Sequence, residues 1–223
     1  MTFSVVANCR TSGQFGMAIS SSSPAVAARC CHVRAAVGAV ASQNITDPEL
    51  GLIVLDALAL GLSADLALRR ALESYPHAAY RQLLVIDNKG QTSIHSGDNV
   101  LGRWGEAQGI NCCAGGNLLA SDGIPKTMVA AFEKSSGSLA SRLMLALEAG
   151  LAAGGEAGPV HSAGLKVADK LSWLFIDLRV DWSNKPIADL RDALTIYEPQ
   201  AEAYVLRALN PSQSLSYGVP GDM

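Results

Sequence analysis

The order of apolar segments along the chain predicts an α+β domain in which helices cover stacked sheets, and two observations carry that prediction. Strand-like segments come in pairs joined by Gly- and Asn-containing turns. Helix-like segments come in pairs too, so the two kinds alternate without forming a continuous βαβ series. With 223 residues, 49% of them hydrophobic, the chain can bury a core without disulfide or metal support. The expected division is one domain over residues 1–210 and a flexible tail over 211–223, where Pro211-Ser212-Gln213-Ser214 is followed by more Gly and Pro.

Phe3 to Ala7 and Phe15 to Ser20 are short apolar segments separated by Arg10-Thr11-Ser12-Gly13, a tight connection between antiparallel strands. Ala35 to Ser42 reads as a third strand, with Gly38 allowing close approach of another backbone. Leucines and alanines then return every three or four residues over Leu50 to Leu60 and Ser63 to Ser74, which predicts two helices broken at Gly61. Ser63 is placed to cap the second of these, and Asp65 adds negative charge to its first turn. Arg81 to Ile86 and Gln91 to His95 form a hairpin around Asn88-Lys89-Gly90.

Residues Gly97 to Gly116 read as a Gly-rich loop, followed by helices over Ile124 to Phe132 and Leu139 to Leu151. Gly154, Gly155, Gly158 and Pro159 end the second helix and lead to strands over Ser162 to Val167 and Trp173 to Arg179. Pro186 and Asp189 mark the start of a final helix.

Composition sets the function classes aside one by one. Twenty acidic against seventeen basic side chains leave a net charge of −3, and the basic residues are scattered without interleaved aromatics, so nucleic acid is not an expected partner. The longest apolar run, Ile53 to Leu60, contains Asp56 and is too short to span a bilayer, so no membrane is expected. No secretory pattern opens the chain, which makes the cytoplasm the expected location. Cys9, the pair Cys30-Cys31 and the pair Cys112-Cys113 lack zinc-ligand spacing, and buried reduced thiols are expected. Neither a metal nor a cofactor is expected.

The residue types able to do chemistry are few. Removing Met1 exposes Thr2, whose hydroxyl can attack a carbonyl while its own α-amine takes the proton. Gln43-Asn44 and Gly115-Gly116-Asn117 offer amide side chains and exposed backbone donors for a substrate carbonyl or a developing oxyanion. Arg81-Gln82 opens a strand, and Asp177, Arg179 and Asp181 alternate on one face of another, as a supporting polar network. The run Ser20-Ser21-Ser22-Ser23-Pro24 reads as a polar turn. The histidines, His32, His77, His95 and His161, fall into no metal or triad spacing.

Together, Thr2-Phe3-Ser4-Val5-Val6-Ala7, Gly38 to Gln43, Arg81-Gln82, Gly116-Asn117, Ala146 to Gly150 and Asp177 to Asp181 resemble, in this order, a bacterial domain-of-unknown-function family, number 1028. The resemblance runs from Thr2 to about Leu194. It implies a four-layer αββα sandwich similar in fold to N-terminal-nucleophile hydrolases. It also implies Thr2 as nucleophile of an amide-bond hydrolase, with Gln43, Arg81 and Asn117 lining a pocket for an unidentified small molecule. A noncatalytic metabolite-binding or structural protein on the same scaffold is the alternative. Fold and symmetry together lead to a homodimer. The chain departs from the family after Gly154-Gly155, where Asp, a basic residue and Gln-Ser-Ala give way to Glu156, Gly158 and His161-Ser162-Ala163.

Overall fold

Thr2–Asn8 (β1) and Phe15–Ser21 (β2) form an antiparallel hairpin at the middle of a six-stranded sheet. The fold is that of a computed structural model, which describes residues 2–214 and 216. Beyond Pro211–Gln213, a short 3-10 turn, the tail expected from the sequence lies outside the described residues except for Ser214 and Ser216.

The first strand alternates strictly. Phe3, Val5 and Ala7 face one apolar cluster while Val6 and the neighbouring Met17 and Ile19 of β2 face another. Both faces of the sheet are therefore covered, and every residue of β1 and β2 is buried.

A helical turn, Val26–Cys30 (α1), leads to a second sheet built from Cys31–Arg34 (β3), Gly38–Asn44 (β4), Arg81–Asp87 (β5) and Thr92–Ser96 (β6), in that spatial order. The strand expected from Ala35 starts at Gly38. Residues 35–37 form the turn out of β3, closed by Val37 N–H donating to Arg34 O at 3.2 Å. Between β4 and β5 run Pro48–Ala59 (α2) and Ala64–Leu72 (α3), and Ser63 caps α3 by accepting from Leu66 N at 3.4 Å. Leu50, Val54, Leu58, Ala67 and Leu68 of these helices close over Val40, Leu83 and Val85.

The segment Gly97 to Gly116 corrects the loop reading. Gly105–Gly109 (β7) and Cys112–Asn117 (β8) are paired strands, and β8 lies between β7 and β1. Glycine is there for closeness: a Cβ on Gly105 would lie 2.3 Å from Asp122 O, and one on Gly116 would lie 2.7 Å from Leu119 Cδ2. Low strand propensity is overridden by packing that only these residues admit.

Ile124–Lys134 (α4) and Leu139–Ala152 (α5) cover the outer face of the six-stranded sheet. Ser162–Ala168 (β9) and Leu174–Val180 (β10) extend that sheet beyond β2. Pro186–Tyr197 (α6) packs on β9 and β10, and Ala201–Leu209 (α7) follows. The result is the expected αββα sandwich, with one apolar cluster beneath each helical layer and a third between the sheets. No helix among the described residues is long and apolar enough to cross a membrane. The cysteines are free, with Cys112 in the cluster under α4 and α5 and Cys113 between the sheets, as strand alternation requires.

Candidate functional site

Because even-numbered residues of β1 point between the sheets, Thr2 and Ser4 reach the end of the intersheet layer that apolar side chains do not fill. Thr2 is 4% exposed, and its Oγ1 lies 3.5 Å from Ser21 Oγ. Ser21, read from the sequence as part of a polar turn, is the last residue of β2. Its Oγ shares a hydrogen bond with Ser23 Oγ at 2.8 Å, and Ser162 Oγ donates to Ser23 O at 2.6 Å.

Beneath Thr2 runs a chain of neutral polar side chains closed off from water. Ser4 Oγ donates to Gln43 Oε1 at 2.7 Å, and Gln43 Nε2 donates to Gln82 Oε1 at 2.9 Å. Asn117 Nδ2 donates to the same Gln82 oxygen at 3.2 Å. Gln82 Nε2 in turn donates to Ser96 Oγ at 3.1 Å and to Gly116 O at 3.3 Å. Ser4, Gln43, Gln82 and Asn117 are all fully buried. Amides suit this position because they give and accept hydrogen bonds in a dry layer without the desolvation cost of a charge. Asn117 stands directly opposite Thr2 in the β1–β8 register, and its Oδ1 is buried with no hydrogen-bond partner among the described residues.

The structure thus brings Thr2, Gln43 and Asn117 together. Gly115 and Gly116 lie alongside, in a strand paired on both sides, so their backbone amides are engaged in the β1 and β7 ladders and the oxyanion donors they were expected to supply are already bonded.

Arg81 faces the other way. Leu83 and Val85 of β5 meet α2 and α3 while Leu84 and Ile86 meet the six-stranded sheet, and Arg81 shares the helical side. Its Nη2 and Nε donate to Tyr75 Oη at 2.6 and 3.0 Å, its Nη1 donates to Ile45 O, and Tyr75 Oη donates to Asp47 Oδ2 at 2.7 Å. Asp47 caps α2, and the Tyr75 hydrogen bond holds its carboxyl below the usual carboxylate range. Arg81 is therefore a tie between β5 and the α2 N-terminus. Gln82, its neighbour, is the intersheet residue.

Asp177, Arg179 and Asp181 sit on or just after β10, the sheet edge three strands away from β1. Arg179 pairs with Asp181 at 3.2 Å and Asp177 with Lys166 at 3.9 Å, partly exposed pairs remote from the amide layer. They do not join the network around Thr2.

The group that sequence reasoning missed is Glu156. It is 4% exposed, and its Oε1 accepts from Ser22 N at 3.0 Å. Burial pushes its carboxyl up, against the opposing pull of the Ser22 hydrogen bond. No cluster able to hold a metal ion occurs among the described residues.

A family model described as a family of unknown function, DUF1028, matches residues 2–190. The chain belongs to that family. Among solved structures, DUF1028 protein SPO2555 from Silicibacter pomeroyi superposes with a TM-score of 0.83 at 26% identity, over 88% of this chain and 85% of that one. Anbu (ancestral beta-subunit) from Yersinia bercovieri gives a TM-score of 0.40 at 10% identity, over 93% and 97% of the two chains. Anbu from Hyphomicrobium sp. strain MC1 gives 0.40 at 10%, over 98% and 100%. These two likenesses are too distant to bear on the chemistry of DUF1028. No curated protein matches the chain. The DUF1028 match begins at Thr2, the residue at which β1 begins.

Proposed function

We propose that the chain is an amidohydrolase whose nucleophile is Thr2 Oγ1 once Met1 has been removed. The observation that carries this reading is the placement of Thr2 at the start of β1, opposite Asn117 and against the buried amide layer of Gln43 and Gln82. In the first step Oγ1 bonds to the substrate carbonyl carbon and its proton passes to the Thr2 α-amine. The tetrahedral intermediate then collapses, the C–N bond breaks, and the ammonium returns a proton to the departing amine. Water adds to the resulting ester by the same sequence and releases the acid. The second N–H of Asn117 Nδ2, beside the one bonded to Gln82 Oε1, is the side-chain donor we assign to the oxyanion, and Gln43 fixes the layer behind it. Ser22 and Ser23, both half-buried, mark the open side of the site.

A β-lactone electrophile tests the proposal. In protein beginning at Thr2 it is expected to add its full mass to the peptide containing Thr2, and in protein with an N-terminal extension it is expected to add nothing there. Equal labelling of the two forms, or labelling elsewhere only, contradicts the assignment.

The saturation of Gln43 and Gln82 by each other and by Ser4, Asn117, Ser96 and Gly116 favours a second reading, in which the same layer serves a noncatalytic binding or structural protein. That reading predicts unlabelled Thr2 in both forms. The proposal also takes over the expectation of a cytoplasmic homodimer. Light scattering across a broad concentration series should return twice the chain mass, and a monomer throughout would remove the dimer.

A further inference from the structure

The two strands that flank β1 both end level with its first residue. Phe3 stands opposite Ser20 of β2, so Thr2 is level with Ser21, the last residue of that strand, and Ser22 follows. Thr2 stands opposite Asn117, the last residue of β8, and Leu118 follows on that side. Glu156 bridges the residues that follow the two strand ends. Its backbone bridges Leu119, Ala120 N donates to Gly155 O at 3.0 Å and Ala157 N donates to Leu118 O at 2.9 Å. Its side chain crosses to the continuation of β2, where Oε1 accepts from Ser22 N at 3.0 Å. The chain reaches this place by turning sharply after α5, with Gly154 and Gly155 at φ of +120° and +58°, conformations that favour glycine.

The other carboxylate oxygen, Oε2, is buried and has no hydrogen-bond partner among the described residues. An acceptor of that kind left without a donor is costly, and this carboxylate is bonded to Ser22, next to the Ser21 whose Oγ lies 3.5 Å from Thr2 Oγ1. We infer that Glu156 holds the α-ammonium group of Thr2 when Thr2 is the first residue, and so positions the base of the proposed nucleophile. The inference rests on the processing at Thr2 proposed above. In the reaction the amine gains the hydroxyl proton and becomes a cation inside a mostly buried site, and the adjacent carboxylate stabilises it and fixes its direction. An aspartate beside a catalytic histidine acts in the same manner. Glu156 is a positioning residue by this account, since it touches the base and not the substrate.

Other charged groups near this carboxylate are already held. His161 exerts an electrostatic pull on it, and has Nδ1 3.1 Å from Ser183 O and its ring stacked 4.4 Å from Trp182. Arg29, beyond Ser23, donates to Pro24 O at 2.6 Å and to Ser23 Oγ at 3.1 Å.

The test is an NMR titration of protein labelled with 15N-threonine and released from an N-terminal fusion so that Thr2 is first. The α-amine pKa should fall by about 1–3 units in Glu156→Gln and recover in part in Glu156→Asp. If Glu156→Gln does not fold, the 13C carboxyl of Glu156 in the wild type serves instead. Its titration midpoint should drop when the extension is removed. An α-amine pKa unchanged by Glu156→Gln, or a Glu156 midpoint indifferent to processing, overturns the inference. Neither readout needs turnover. A shifted α-amine in a protein that hydrolyses no amide keeps this contact and removes the hydrolase reading, whereas turnover with an unshifted α-amine does the reverse.

Discussion

Gln82→Leu is expected to lower the unfolding free energy by about 3–6 kcal/mol, read from urea denaturation of wild type and variant side by side. Leucine matches the volume of glutamine roughly, so packing changes little, but the four hydrogen bonds that meet at Gln82 vanish together. Gln43 Nε2, Asn117 Nδ2 and Gly116 O are then left in a layer that excludes water, at about 1–3 kcal/mol each before relaxation. Against a typical total of about 5–15 kcal/mol, this places the variant near the edge of folding. A loss below about 1 kcal/mol would mean that the amide layer does not hold the two sheets together. Arg81, on the helical side of the same strand, belongs to a different network, so Arg81→Ala and Gln82→Leu should add when combined.

That pair of neighbours shows where the sequence was informative and where it was silent. The dipeptide Arg81-Gln82 marks the start of a strand, and the strand is there. Alternation says that the two side chains take opposite faces, but β5 is buried on both, so no polar face identifies which residue enters the intersheet layer. Polarity pointed to the arginine, and the geometry selects the glutamine.

The helices were legible because their periodicity and caps agree: Ser63 accepts from Leu66 N as its position implies. The strands β7 and β8 were not. Gly105, Gly109, Gly115 and Gly116 read as loop residues, and only the crowding by Asp122, Val129, Leu84, Leu119 and β1 explains why a strand tolerates them.

Asp177, Arg179 and Asp181 do alternate on an extended strand. Nothing in a period of two says that the strand lies at a sheet edge, far from Thr2. Glu156 stands out in the sequence only as a departure from the family pattern after Gly154-Gly155, which gives it no place in the site. Its position follows from the path of the chain after α5 and from the ends of two strands distant in sequence.

Thr2→Ala is expected to reduce turnover by about 10³-fold or more in protein whose first residue is Thr2, since it deletes the group that forms the acyl intermediate. An uncleaved N-terminal extension should reach the same floor, because it ties the α-amine into a peptide bond and removes the base while leaving Oγ1 in place. The burial of Thr2 beside Ser4 and Ser21 means that alanine at this position removes one hydroxyl and one methyl from a tight site. The variant should therefore remain folded, and its unfolding curve should be recorded with the activity. The measurement that decides the account is turnover of an amide library by three proteins: processed wild type, processed Thr2→Ala, and wild type carrying the extension. The account predicts hydrolysis by the first alone, and full turnover by Thr2→Ala, or no turnover by processed wild type above the two controls, would contradict it.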